Sequence, residues 1–168
     1  MQSHFNEIDN LNNSDPITGY QQLQTALAAL WQGERNLIAN LANTSAFLFC
    51  HLGKLNWAGF YLYDGRELVV GPFQGKPACV RIALGRGVCG QAAVTGQTQV
   101  VPDVHTFADH IACDSASQSE IVIPLYKNTR LLGVLDLDSP QLGRFTSADA
   151  SGLEAIASAL VGACDWPE

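Results

Sequence analysis

The sequence predicts an α+β fold, a mainly antiparallel sheet with helices packed on it. Three observations lead there. Apolar residues recur at helical spacing toward both ends of the 168-residue chain, with Leu23, Leu27, Leu30 and Trp31 early and Leu153, Ile156, Ala157, Leu160 and Val161 late. Between them, strand-like runs are joined by turns as short as Asp64-Gly65 and Lys127-Asn-Thr-Arg130, which make hairpins rather than crossovers. No repeat, linker or low-complexity tract interrupts the chain, so residues 1–168 are expected to form a single domain, with the polar, Asn-rich stretch 1–14 frayed. A domain near this size buries roughly 70% of the surface of its unfolded chain, enough for a full core without staples.

Taken in order, Asp15-Pro16 supplies an N-cap and a proline at the first helical position. Gly33 interrupts that helix, and a second from Glu34 carries Leu37, Leu41, Ser45, Leu48, Phe49 and Leu52 along one side, with Gly53 as its C-terminal cap. Strands follow over Asn56 to Tyr63 and Glu67 to Pro72. In the first of these, Trp57, Gly59 and Tyr61 share one face and Ala58, Phe60 and Leu62 the other, so both faces are largely apolar, as in a central strand covered on two sides. A short strand from Cys79 to Ala83 leads through Gly85-Arg-Gly-Val-Cys-Gly90 into a short helix ending near Thr95-Gly96, and a strand runs from Thr98 to Val101. The irregular segment from Pro102 to Ser119 is long for a compact domain, and loops of that length are usually functional. Glu120 to Tyr126 and Leu131 to Asp138 form a second hairpin, and Thr146-Ser-Ala-Asp149 has the pattern of a capping box opening the last helix.

Composition narrows the function. The net charge of −7, with nine Lys and Arg, argues against nucleic acid or an anionic membrane surface as partner, because both are bound chiefly through basic patches. A small molecule or another protein fits better, and a homodimer is compatible with the sequence. The first residues lack the regions of a signal peptide and no apolar run approaches the roughly 18 residues of a membrane span, so a cytoplasmic location is expected. Five cysteines are an odd number for a secreted disulfide framework, and in the cytosol disulfides are usually catalytic or sensing.

Cys113 stands in a small, polar loop rather than inside an apolar run, which is where a space-filling thiol belongs. Cys79 and Cys89 flank a short strand and a glycine turn; Cys50 and Cys164 lie on helices and read as packing. Asp136 and Asp138 project from the same face of one strand, and Glu120 starts its hairpin neighbour, so all three can converge at one end of the sheet. Clustered carboxylates in a closed site raise one another's pKa. Keeping one protonated at pH 7 needs a shift of about three units, roughly 4 kcal/mol. Such a site can bind an ammonium group and donate a proton. Two readings of the thiols follow. In one, Cys89, His105, His110 and Cys113 bind zinc, although their separations match no compact zinc pattern. In the other, one cysteine attacks an oxidised substrate, becomes a sulfenic acid and is resolved by a second, while the acids protonate the departing oxygen. The redox reading uses every polar feature. The glycine-rich turn lacks the Lys and spacing of a phosphate loop.

Asn56-Trp-Ala-Gly-Phe-Tyr61, Gly71-Pro-Phe-Gln-Gly75, Ala78-Cys79, Gly85-Arg-Gly-Val-Cys-Gly90, Asp103-Val-His105, His110-Ile-Ala-Cys-Asp114, Ser119-Glu120 and Gly133-Val-Leu-Asp-Leu-Asp-Ser139 together resemble the free methionine-(R)-sulfoxide reductases, in order and with little slack. The resemblance runs from about the second helix to the last and implies the GAF fold, a central antiparallel sheet with helices on one side and a ligand pocket under loops on the other. It implies that Cys113 attacks the sulfoxide sulfur, that Cys79 is the main resolving cysteine and that Cys89 is a third cysteine able to join thiol exchange. By the same resemblance Glu120 and Asp138 hold and help protonate the sulfoxide oxygen, Asp136 favours the amino group, and Trp57 and Tyr61 wall the methyl group. The substrate is then free methionine sulfoxide and thioredoxin the electron donor, with no bound cofactor or metal. The competing expectations are a GAF module that senses a small ligand without catalysis and a thiol redox switch with no dedicated substrate.

Overall fold

The computed structural model describes residues 16–109, 111 and 114–167. Helix α1 (Pro16–Trp31) opens at the proline that the sequence marks, while its expected cap, Asp15, lies outside the described residues. Helix α2 (Leu37–His51) begins three residues later than Glu34, because Asn36 is the N-cap and its side chain accepts from Ala39 N at 3.0 Å. Its end also differs from the glycine cap expected at Gly53. Leu52 is the C-cap, with φ −88° and ψ 105°, and burial of its side chain in the core draws the chain out of the helix before the glycine is reached.

The strands are β1 (Trp57–Tyr63), β2 (Leu68–Gly75), β3 (Arg81–Ile82), β4 (Gln99–Val101), β5 (Ser119–Lys127) and β6 (Arg130–Ser139). Helix α3 (Gly87–Thr95) lies between β3 and β4, a short 3₁₀ turn (Val104–Thr106) follows β4, and α4 (Ser147–Ala163) closes the order. All six strands join one antiparallel sheet in the order β3-β2-β1-β6-β5-β4. The strand expected over Cys79 to Ala83 shrinks to two residues. Only Arg81 and Ile82 find ladder partners, Val69 and Leu68, and Pro77 has no N–H to extend the ladder toward the end of β2. Cys79 therefore sits in a connecting segment, not in the sheet.

The sheet has two differently covered faces. Ala58, Phe60, Ile121, Ile123, Leu135 and Leu137 point to the side packed by α1, α2 and α4. Trp57, Tyr61, Val122 and Val134 point to the other, where α3 adds Val88, Cys89, Ala92 and Ala93. The helical layer is tied by buried polar contacts: Trp31 Nε1 donates to Thr44 Oγ1 at 3.1 Å, and Tyr20 OH donates to Asp149 Oδ1 at 2.8 Å. Asp149 also completes the expected capping box with Thr146. Thr146 N and Oγ1 each reach Asp149 Oδ2 at 2.7 Å.

Candidate active site

The site lies on the face of the sheet away from the three packed helices. In β6 the register pairs Asp138 with Trp57 of β1 and Glu120 of β5, and pairs Asp136 with Gly59 and Val122. Directly opposed residues of an antiparallel pair project to the same side. Hence Trp57, Tyr61, Glu120, Asp136 and Asp138 converge, as the sequence predicts. They line a cleft of about 530 Å³, part of it open to solvent, with Cys89 and Val88 of α3 forming another wall.

The aromatic wall is stacked. Trp57 lies 5.8 Å from the Tyr61 ring and 5.2 Å from that of Phe73, and its Nε1 donates to Lys76 O at 3.2 Å, fixing the indole. Gly59, between Trp57 and Tyr61 on this face, is required by close approach. A Cβ there would come within 2.7 Å of Phe73 Cα and 2.8 Å of the Trp57 ring edge.

At the acid end, Glu120, Asp136 and Cys89 are 6%, 5% and 3% exposed. Their donor atoms all lie within 4.8 Å of one another. Burial raises the Glu120 and Asp136 carboxyls well above the ordinary carboxylate range, and the charge of Asp138 raises both further. The two carboxyls are tightly coupled, and each is raised by burial beside the other acids. Cys89 is pushed up by burial and then by the Asp136 and Glu120 charges. Asp136 Oδ1 is left buried without a partner. A protonated acid beside a carboxylate can receive an ammonium group and release a proton to a departing oxygen. Cys89, Glu120 and Asp136 also form the one group of described residues whose spacing suits a divalent metal ion.

The remaining expected participants are not part of this group. Cys113 and His110 lie outside the described residues. His105 is exposed on the 3₁₀ turn, with its N–H bound to Asp103 Oδ1 at 3.0 Å, while Cys89 is buried among carboxyls, which separates these two members of the zinc reading. Cys79 is half-buried against the pocket-side core and is disulfide-bonded. Cys164 is buried as expected, beside Asn40, but Cys50 is exposed on α2 rather than packed.

One cluster escaped the sequence reading. Asn56, just before β1, donates to Asp114 Oδ2 at 3.2 Å and Ser117 Oγ at 2.9 Å, and Lys76 Nζ pairs with Asp114 Oδ1 at 3.2 Å. Asp114 also accepts from Ala116 N at 3.0 Å, and this backbone bond, with the Asn56 and Lys76 contacts, holds its pKa down. The cluster ties the stretch following Cys113 to the ends of β1 and β2. The Asp-Ser-Ala-Ser run was a signal for that local turn, though not for its distant partners.

The GAF domain family matches residues 36–163 of the chain. The free methionine-R-sulfoxide reductase of Escherichia coli (strain K12) is 53% identical to it, over 84% of this chain and 86% of the relative. The chain belongs to the free methionine-R-sulfoxide reductase family of GAF-domain proteins. The Saccharomyces cerevisiae member of that family is 41% identical over 96% of this chain and 92% of its own. A crystal structure of the Neisseria meningitidis member in complex with its substrate superposes with a TM-score of 0.86 at 47% identity, covering 89% of this chain and 90% of that one. The sheet and helices described above are thus the GAF fold, and the acid-lined, aromatic-walled cleft is a feature of a family member.

Proposed function

We propose that this protein is an oxidoreductase that reduces free L-methionine-(R)-sulfoxide to methionine. The observation that carries this reading is the joint burial of Glu120 and Asp136 at the end of a cleft walled by Trp57 and Tyr61. Thiol attack on a sulfoxide sulfur stalls unless the oxygen is protonated, and raised carboxyl groups are suited to supplying that proton. Cys113 is the attacking residue. Its sulfur takes the oxygen of the substrate to become a sulfenic acid while methionine leaves with its sulfur reduced. The Cys79 thiol then condenses with that acid, forming a disulfide and releasing water, and thioredoxin returns both thiols by taking the oxidation onto its own dithiol.

In this reaction Glu120 and Asp138 hold and protonate the oxygen, Asp136 receives the α-ammonium group, and Trp57 and Tyr61 take the methyl group. The disulfide at Cys79 fits the oxidised stage of such a cycle. An acid end that must accept a charged amine disfavours a sulfoxide held inside a polypeptide, whose nitrogen is a neutral amide. The reaction needs no bound metal or organic cofactor.

The test is thioredoxin-coupled turnover with the two sulfoxide epimers of the free amino acid. Turnover confined to the R epimer is expected, with Cys113→Ser releasing no methionine even in a single turnover. Cys79→Ser should release about one methionine per chain and then recycle poorly. Absence of turnover with the free R epimer would leave the sensor or the redox switch as the better account, and full steady-state turnover by Cys79→Ser would remove the resolving role from that residue.

A further inference from the structure

At the start of β1, two consecutive residues reach toward two different segments. Asn56 is fixed to the end of β6, where its N–H donates to Asp138 O at 3.0 Å. Its Nδ2 gives one hydrogen to Asp114 Oδ2 at 3.2 Å and the other to Ser117 Oγ at 2.9 Å. Asn56 Oδ1 is buried with no hydrogen-bond partner among the described residues. Turning the amide over would set that oxygen against the Asp114 carboxylate, whose pKa is held down. The amide keeps both donations although a buried acceptor is left unpaired, so the side chain is placed for its N–H groups. Asp114 directly follows Cys113, and its turn is closed on itself by Ala116 N to Asp114 Oδ1 at 3.0 Å and Ser117 N to Asp114 O at 3.2 Å. Asn56 therefore grips that turn as a unit. Its neighbour Trp57 grips the other segment, because the indole Nε1 donates to Lys76 O at 3.2 Å, three residues before Cys79. Gly75 permits the approach, since with φ at +126° a Cβ there would lie 2.6 Å from Asn56 O.

We propose that Asn56 is a positioning residue: by gripping the turn after Cys113 while Trp57 grips the segment before Cys79, it sets the two thiols side by side and favours their disulfide. This rests on the reductase reading above, which pairs those two cysteines. The bond concerned is the S–S bond formed when the Cys79 thiol displaces water from the Cys113 sulfenic acid, and it is broken when a dithiol takes up the oxidation. The physical basis is effective concentration. On untethered segments the two sulfurs meet only by closing the whole stretch of chain between them, whereas both segments are here anchored to adjacent residues. One residue then separates the first anchor from its cysteine, and Pro77, with its fixed φ, stiffens the short arm leading to the other. Grip and cross-link stabilise each other, because each lowers the ordering cost of the other. The Lys76 Nζ to Asp114 Oδ1 pair at 3.2 Å joins the same segments, but the Lys76 side chain is 69% exposed, and solvent screening leaves it little weight. The buried bonds of Asn56 carry the effect.

The experiment equilibrates the full-length protein with graded mixtures of reduced and oxidised dithiothreitol and reads the disulfide fraction by alkylation and mass mapping. Asn56→Asp, which sets a carboxylate against Asp114, should lower the equilibrium constant for the disulfide about 10-fold, a rise in potential of ~30 mV. Asp114→Asn, which breaks the same contact from the loop side and leaves the start of β1 intact, should lower it by a similar factor. The double variant Asn56→Asp, Asp114→Asn exchanges donor and acceptor across the same gap and should return to within about 3-fold of the parent, a rescue that general loss of structure would not show. Lys76→Met should stay within about 2-fold. In a single turnover with the free R-sulfoxide, Asn56→Asp should slow disulfide formation about 10-fold while methionine release changes less than about 3-fold. If the parent reduces no sulfoxide, the reductase reading falls, and the dithiothreitol equilibrium, which needs no substrate, still decides the positioning role. The proposal is overturned by single variants whose equilibrium matches the parent, by a double variant no better than either single one, by Lys76→Met losing as much as Asn56→Asp, by methionine release falling as far as disulfide formation, or by Cys79 mapped to a cysteine other than Cys113.

Discussion

At Glu120 and Asp136, two acids share one buried space and cannot both ionise cheaply, so a proton stays between them. That proton is what distinguishes the site from a solvated pair of strand-end carboxylates. Replacing Glu120 with Gln keeps shape and hydrogen-bonding capacity but removes the titrating group, and kcat should fall by on the order of 10²–10⁴ with a smaller change in KM. Asp136→Asn should instead act mainly on KM, through weaker binding of the substrate ammonium. Single-turnover release of methionine separates the two effects from any change in recycling. Equal loss in both parameters for both variants would show that the acids work as one unit.

At the scale of single elements, α1 and α4 are held close by a glycine. Gly152 faces the ring of Tyr20, and a Cβ at that position would enter the ring. Gly152→Ala should therefore separate α1 from α4, disturb the Tyr20–Asp149 hydrogen bond and cost about 1–3 kcal/mol in denaturant unfolding, with kcat nearly unchanged because both helices lie across the sheet from the cleft. The two-faced strand β1 was legible in the sequence because a period of two is local: Trp57, Gly59 and Tyr61 separate from Ala58, Phe60 and Leu62 without knowledge of their neighbours. The meeting of Asp136, Asp138 and Glu120 was legible because one hairpin sets that register. The contact of Cys89 with Asp136 was not, since it depends on where α3 crosses the sheet. Neither was the Asn56–Asp114–Lys76 cluster, whose members are up to 58 residues apart in sequence. The end of α2 was misjudged for a related reason: burial of Leu52 outweighed the local preference of Gly53 for a cap.

For the molecule as a whole, the buried acids make stability depend on pH in a definite sense. Glu120 and Asp136 are raised in the folded protein, so above their ordinary range near pH 4 the folded chain binds more protons than the unfolded one. Their contribution is present below that range and is lost as pH rises through the raised values. Asp149 acts oppositely. Burial pushes its pKa up, but hydrogen bonds from Thr146, Tyr20 and Arg144 outweigh this and hold it down, so its contribution is lost as pH falls. Thermal unfolding followed across pH should give a dome, and the double variant Glu120→Gln, Asp136→Asn should flatten its alkaline arm alone. An unaltered alkaline arm would place the destabilising charge elsewhere. The exposure of Cys50 has a further use of a purely analytical kind. With Cys79 in a disulfide, the unbonded cysteines among the described residues are Cys50, Cys89 and Cys164, and of these only Cys50 meets solvent. In the oxidised stage of the proposed cycle, with Cys79 joined to Cys113, a chromogenic thiol reagent added to the folded protein should therefore titrate about one sulfur quickly, and the slower rise on unfolding should report Cys89 and Cys164. That single fast equivalent gives a bench assay for the redox state of a preparation.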